Sequence, residues 1–379
     1  MAKPVHKQIR DHAAIARLRN QLLAWYGKNR RDLPWRRTRD PYAIWVSEIM
    51  LQQTRVAAVI DRYQAFMARF PTIVSLARAA EQDVLALWSG LGYYRRARML
   101  HKAAQHVSEV LGGEFPSASA ELRTLSGIGP YTAAAIASIA HDEVVAVVDG
   151  NVERVLCRVA GWEAGNGKGY AATRHRIEDL AARLVDPGRP GDFNQAMMEL
   201  GATICLPRNP QCLVCPISVD CKTRGEHKTQ PRPRMESREV GHALAVRAGR
   251  RQGKGSGASG RASMMEVLLE QRPEELTVMP GMWQLPALRD SRVPEEHLSM
   301  TVRHAIMQVN YVVHIRKADA REIKELTVHA GRRRWVPLCD AASMALTGLT
   351  RKVLTRAGTM PIPLESNRVR GNRRVGKNL

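Results

Sequence analysis

The sequence predicts a chain of two unlike halves, an all-α domain over residues 1–221 followed by an α+β domain over 238–360. Three observations predict it. Apolar residues recur at helical spacing through the first 220 or so residues, with Gly and Pro between the segments. The composition then turns basic and rich in Gly and Pro at 222–261. Beyond that stretch the apolar runs are short and strand-like. The length of 379 residues suits two or three domains, and 44% apolar content excludes global disorder. No apolar run approaches the ~20 residues of a membrane helix, and residues 1–10 lack the apolar core of a signal peptide.

Ile15, Leu18, Leu22 and Trp25 follow Asp11, a helix cap, at helical spacing. Asp40-Pro41 opens a second helix with a cap and a proline at the first helical position. Further helices are expected from Val56, Val84, Arg95, Tyr131 and Asn151. A linker is expected at 222–237, a flexible loop at 253–260, and strands at 243–246, 265–269, 309–315 and 334–337. The tail at 361–379 reads as a basic, disordered, solvated end. The formal net charge of +22 favours a polyanion, most simply nucleic acid.

Four of the six cysteines form the series Cys205-x6-Cys212-x2-Cys215-x5-Cys221. Thiolates are soft ligands, and four of them suit zinc or an iron–sulfur cluster. Only one pair is short and the spacings are unequal, so a compact loop wrapping a 4Fe–4S cluster is the stronger reading, with zinc or unliganded thiols the alternatives. Without a second redox motif the cluster's role is structural. Cys157 and Cys339 stand alone and read as buried small hydrophobes.

Leu125-Ser126-Gly127-Ile128-Gly129-Pro130 lies between helical segments. Gly127 and Gly129 allow backbone N–H groups to approach a phosphate, and the following helix adds its dipole. With the charge excess and the cysteine loop, this reads as a helix-hairpin-helix DNA anchor. Glu48 shares a helix face with Ile44 and Leu51, where desolvation raises a carboxyl pKa and suits a general acid. Asp149 follows an apolar run at a helix start, where N–H groups and the dipole favour a fixed negative charge. One acid held protonated and one held charged form a two-role pair.

The motifs Trp45-Val46-Ser47-Glu48-Ile49-Met50-Leu51-Gln52-Gln53-Thr54, Gly90-Leu91-Gly92-Tyr93-Tyr94, Gly127-Ile128-Gly129-Pro130-Tyr131-Thr132-Ala133 and Val148-Asp149-Gly150-Asn151-Val152, with the four cysteines, resemble the MutY family of adenine DNA glycosylases. The resemblance covers residues 33–221 and, less closely, 263–286. It implies a helix-hairpin-helix glycosylase domain carrying a 4Fe–4S loop at 205–221, followed by a Nudix-like domain that reads the opposite base. It implies a monofunctional enzyme of base excision repair that removes adenine mispaired with 8-oxoguanine or guanine in double-stranded DNA, acting as a monomer, cytoplasmic and nucleoid-associated if bacterial. Glu48 would protonate adenine N7, and Asp149 would stabilise the oxocarbenium sugar. Tyr131 and Asn151 would orient these carboxylates. Arg36 and Gln195 match positions that contact the flipped base, and Gln53 and Tyr93 match residues that fill the gap it leaves. Tyr131 stands where lyase relatives place a Schiff-base lysine, and no lysine lies between Lys102 and Lys168.

Two departures stand out. No carboxylate-rich Arg-Glu-x-x-Glu-Glu helix follows Pro286, so metal-dependent pyrophosphohydrolysis is not expected. Where the family's lesion-reading hairpin carries Phe-Ser-His, this chain has Ile306-Met307-Gln308. Gln308 still offers a donor and an acceptor to a base edge. The alternatives to the adenine reading are a glycosylase for another mispaired or oxidised base and a non-catalytic DNA-binding protein.

Overall fold

The computed structural model describes residues 12–162, 170–226, 234–249, 265–306, 308–328 and 331–359. The Asp11 cap, the 253–260 loop, Met307 and the 361–379 tail lie outside the described residues. The chain divides into two compact units: residues 1–54, 67–78 and 99–231 in the first, and 55–66, 79–98 and 232–379 in the second.

In order, the helices before the cysteine loop are α1 (His12–Asn29), α2 (Pro41–Leu51), α3 (Val56–Arg69), α4 (Ile73–Ala77), α5 (Glu81–Leu87), α6 (Arg95–Glu109), α7 (Ser119–Leu122), α8 (Pro130–His141), α9 (Gly150–Ala160), α10 (Tyr170–Leu184) and α11 (Pro190–Thr203). In the first unit, α11 packs on α1, α8 and α9, and α2 packs on α8. Leu18 and Leu22 of α1 are buried with Leu156, Leu184 and Leu200 in one core. Each fully buried leucine contributes about 1.5–3 kcal/mol. Small side chains on α8, Ala133, Ala135, Ala137 and Ser138, are fully buried and let neighbouring helices approach closely. Buried Asn194 of α11 donates to Ser138 Oγ and Val145 O and accepts from Val147 N, which fixes the strap that leads into α9.

The second unit contains two sheets. Its strands are β1 (Glu236–Leu244), β2 (Val246–Ala248), β3 (Met265–Gln271), β4 (Trp283–Gln284), β5 (Leu298–Ile306), β6 (Val309–Lys317) and β7 (Arg333–Pro337). Short helices α12 (Ile323–Leu326), α13 (Leu338–Ala341) and α14 (Gly348–Arg356) complete it. One sheet runs β1-β6-β5, with β1 parallel to β6 and β5 antiparallel to it. In the other, β3 pairs with β2, β4 and β7, all antiparallel. Val267, Leu269, Val302, Val313 and Ile315 share one core with Leu354 of α14. Within this unit Tyr94 Oη and Ser89 Oγ donate to Leu346 O, and Arg351 Nε donates to Ser89 Oγ. The segment ahead of α6 is thereby tied to the sheets, a link that sequence spacing does not announce.

Three expectations need correction. β1 already begins at Glu236, because Glu236 to Leu244 pair with Val309 to Lys317, so the last two residues of the expected linker are strand. The strand expected at 243–246 is two strands, broken at Ala245. Cys339 is exposed on α13 rather than buried, and its thiol donates to Asp340 Oδ1. Cys157 does lie in the core. No helix among the described residues is long and apolar enough to cross a membrane.

Candidate active site

Helix α2 starts as its cap requires: the Asp40 carboxylate accepts from Tyr42 N, and Pro41 occupies the first turn. Every residue from Tyr42 to Met50 is buried, Glu48 among them at 6% exposure. A carboxylate in this position loses its hydration, and the cost falls on the charged form. Burial first, and then the charge of Asp149, push Glu48 up to about 7, against the opposing effects of the Tyr131 hydrogen bond and of Arg36. Tyr131, in the first turn of α8, donates its hydroxyl to Glu48 Oε2 at 2.7 Å. Met198 Sδ of α11 lies 3.3 Å from the same hydroxyl. Burial, reinforced by the charges of Glu48 and Asp149, holds the Tyr131 hydroxyl well above the usual tyrosine range, so it keeps its proton.

Asp149 is the N-cap of α9. Its Oδ1 accepts from Asn151 N at 2.9 Å and Val152 N at 2.7 Å, and its Oδ2 accepts from Asn151 Nδ2 at 3.0 Å. Asn151 is held in turn by Arg154, which donates to Asn151 Oδ1, Gly201 O and Cys205 O. Gly201 is required at that crossing, since a Cβ there would lie 2.7 Å from Asn151 Cβ. Thus α11 sets the position of Asn151, and the same arginine spans from Asn151, the partner of Asp149, to Cys205 at the start of the cysteine loop.

Glu199, one residue beyond Met198, was not singled out by its sequence pattern, yet it anchors the neighbouring wall. Arg31 forms a bidentate pair with it at 2.7 Å for both contacts, and Arg36 Nη2 donates to Glu199 Oε2 at 2.8 Å. Burial works against its charge, but the bonds from Arg31 and then Arg36 prevail and hold it down at about 2. Arg36 lies over the Tyr26 ring at 5.6 Å, and the Tyr26 hydroxyl donates to Gln195 Oε1. Arg36 and Gln195, together with Arg30, Arg39 and Arg189, line a cavity of about 350 Å³. A basic, polar cavity of that size admits a nucleotide-sized group.

Gly127 sits at φ +81°, and a Cβ there would lie 2.8 Å from Met99 Cβ. Ile128 N closes the turn on Leu125 O, and exposed Gly129 caps α8. Gln53 and Tyr93 share an unusual feature, left-handed backbone at φ 55° and 47° in residues that carry side chains. Such strain costs on the order of 1–3 kcal/mol per residue and concentrates at functional positions. Tyr93 is 48% exposed. In the second unit, Ile306 pairs with Val309 at the end of the β5–β6 hairpin. Gln308 lies exposed at its turn, with its carbonyl accepting from Glu236 N.

Cys205, Cys212, Cys215 and Cys221 are all free, and all four line one small hollow with Arg158 and Arg224. Among the described residues, no group of three or more His, Cys, Asp or Glu is arranged to hold a metal ion. The surroundings nevertheless suit an anionic thiolate centre. Arg158 is buried, donates to Leu206 O and Pro207 O, reaches Cys205 Sγ at 3.3 Å, and leaves its Nε without a hydrogen-bond partner. Against that, burial, with the adjoining cysteine sulfurs adding to it, pushes the Cys215 thiol up to about 11, so it is the positive charge of a bound metal centre that would have to hold it as thiolate.

Residues 46–183 match the HhH-GPD superfamily of base excision DNA repair proteins. An adenine DNA glycosylase of Rattus norvegicus is 51% identical over 221 residues, 56% of this chain and 42% of the relative. The adenine DNA glycosylase of Homo sapiens is 49% identical over 224 residues, 57% of this chain and 41% of the relative. The chain thus spans less than half the length of these two relatives. Among solved structures, a thermostable thymine-DNA glycosylase is 30% identical with a TM-score of 0.50, over 56% of this chain and 97% of that one. The shared sequence profile, the near-complete coverage of that structure and the helical architecture agree: the chain belongs to the HhH-GPD superfamily of base excision DNA repair proteins.

Proposed function

We propose that this protein is a monofunctional adenine DNA glycosylase, removing adenine opposite 8-oxoguanine or guanine from double-stranded DNA. The observation that carries this reading is Glu48, a buried carboxyl near pKa 7 bonded by Tyr131 and set against the capped carboxylate Asp149. The similarity of the helical half to adenine DNA glycosylases of mammals supports the choice of base.

A base inside the stack is out of reach, so the nucleotide must be extruded at a cost of a few kcal/mol. Gln53 and Tyr93, already strained, fill the gap, and Arg36 and Gln195 contact the extruded purine. The N–H groups at Gly127 and Gly129 and the start of α8 grip the phosphates. Glu48 donates its proton to adenine N7, turning the base into a neutral leaving group; such proton transfer contributes ~10²–10⁴-fold. Asp149 faces the developing sugar cation as a fixed anion, held by Asn151. Water completes the hydrolysis. Tyr131 offers no amine, so an abasic site is left uncut.

The four cysteines are assigned as ligands of a 4Fe–4S cluster, completing a helical glycosylase domain over 1–221. When bound, the cluster supplies a rigid staple for the 205–221 loop, beside Arg158 and Arg224. Residues 222–235 lead into β1, and the strand-bearing half from Glu236 onward is assigned as a Nudix-like domain in which Gln308 reads the opposite base. The protein acts as a monomer, with 361–379 as a basic tail.

The test is a single-turnover assay on duplexes that differ only in the mispair: A:8-oxoguanine, A:G, A:T and T:G. Strands that break only after alkali, in the first two duplexes, are expected. Cleavage confined to T:G would replace adenine with thymine as the substrate, and cleavage of none would leave a DNA-binding protein.

A further inference from the structure

Tyr131 carries one hydroxyl proton and stands within reach of two acceptors. Glu48 Oε2 lies at 2.7 Å on α2, and Met198 Sδ at 3.3 Å on α11. Those acceptors differ in strength. An ionised carboxylate outcompetes a thioether, but a protonated carboxyl oxygen is itself a donor and needs the hydroxyl oxygen as acceptor. When Glu48 carries its proton on Oε2, the Tyr131 proton must point elsewhere. Met198 lies where it can receive it.

We propose that Met198 is a positioning residue for proton transfer: its sulfur takes the Tyr131 hydroxyl proton while Glu48 is protonated and releases it when Glu48 becomes a carboxylate. The proposal rests on the reading of Glu48 as the general acid. With Glu48 protonated on Oε2, the proposed chain of bonds runs from Glu48 O–H to Tyr131 O, and from Tyr131 O–H to Met198 Sδ; with Glu48 ionised, the hydroxyl donates to Glu48 Oε2 at 2.7 Å. As Glu48 delivers its proton to the base, the Tyr131 hydroxyl rotates and donates to the new carboxylate. One proton leaves Glu48 and one arrives on the purine; the Tyr131 proton stays on its own oxygen throughout. Met198 is half-buried in α11, one residue before Glu199, whose pairing with Arg31 and Arg36 fixes this stretch of helix. The charged or titratable groups that face Glu48 are Tyr131 from α8, Asp149 at the start of α9 and Arg36 from the turn at Pro34–Arg36. Among the described residues the Tyr131 hydroxyl is hydrogen-bonded to Glu48 Oε2 and Met198 Sδ, not to Asp149 or Arg36.

The structure thus assigns two effects to one sulfur. It stabilises the acid form of Glu48 before the reaction, and its weakness lets the hydroxyl turn to the carboxylate afterwards. A stronger acceptor would do only the first.

The test compares the full-length protein with Met198→Leu and Met198→Gln in single-turnover excision across pH. Leu is close to Met in volume and packs at little cost, but it accepts no hydrogen bond. Its alkaline limb should fall about half a pH unit below that of the wild type, a roughly threefold slower rate above the limb, with the acid plateau unchanged. Met198→Gln offers an amide oxygen and should place the limb at or above the wild-type position. The carboxyl stretch of Glu48, read by infrared difference against Glu48→Gln, should move its titration midpoint down by the same half unit in Met198→Leu. That second readout needs no turnover, so it separates this proposal from the glycosylase reading. Coincident limbs and midpoints for wild type and Met198→Leu would overturn it, as would an equal loss at every pH.

Discussion

Replacing Glu48 by Gln removes the ionisable group whose charge is opposed by its own burial. The carboxyl stands at about 7 in the folded chain against an ordinary value of 4.5. A folded-state pKa raised in this way leaves stability intact below about 4.5 and withdraws it as pH rises through 7. The 2.5-unit difference, at 1.36 kcal/mol per unit, makes the withdrawn stability about 3 kcal/mol above neutrality. Gln has nearly the same shape, still accepts from Tyr131 and never ionises. Denaturant unfolding of both proteins at intervals from about pH 4 to 8.5 should therefore show the variant gaining on the wild type from near pH 4.5, with the gain levelling off above 7. Over the same range the variant should lose excision by the ~10²–10⁴-fold typical of a missing general acid. A stability difference that stays constant with pH would refute the claim that the site holds a protonated carboxyl.

Other consequences are open to direct measurement. Asp149→Asn retains an oxygen for the N–H groups of Asn151 and Val152, so α9 and DNA binding should persist while excision is lost; gel-shift and single-turnover assays separate the two. Glu199→Gln strips the charge that pairs with Arg31 and Arg36, and leaving the largely buried Arg36 without its carboxylate, while Arg31 stays partly exposed, should cost about 3 kcal/mol in unfolding free energy. The stabilising charge of Glu199 should operate above its ordinary 4.5 and fade as pH falls through about 2, which acid-unfolding curves of the two proteins would show. Gln308→Ala should change the ratio of excision opposite 8-oxoguanine to that opposite guanine, because an exposed hairpin amide is removed while the β5–β6 register is not. An unchanged ratio would take this turn out of base reading.

What the sequence revealed and what it hid divide along one physical line. Glu48 and Asp149 were legible because their surroundings are local: an apolar helix face for one, a helix start for the other. The four cysteines were marked by their spacing, and the Gly127–Gly129 hairpin by its glycines taken together with the charge excess and the cysteine loop. Glu199 was not, because the arginines that give it meaning lie 163 and 168 residues away on another segment. Met198 reaches Tyr131 across 67 residues, and a methionine at helical spacing reads as core. Asn194 and Gly201 act through close approach of α11 to its neighbours, which periodicity does not encode. In the second unit, β1 pairs in parallel with β6, about 70 residues on, so its polar first half carried no local signal of strand. Long-range pairing supplied each of these, and each helps to hold a residue that the sequence had already marked.

The proposed chemistry requires Glu48 to carry a proton at near-neutral pH, ready for transfer. Infrared difference spectra between wild type and Glu48→Gln, recorded through the neutral range, read that proton directly. A protonated carboxyl band that disappears with a midpoint near 7 is expected. A carboxylate band already complete at pH 5 would contradict the account.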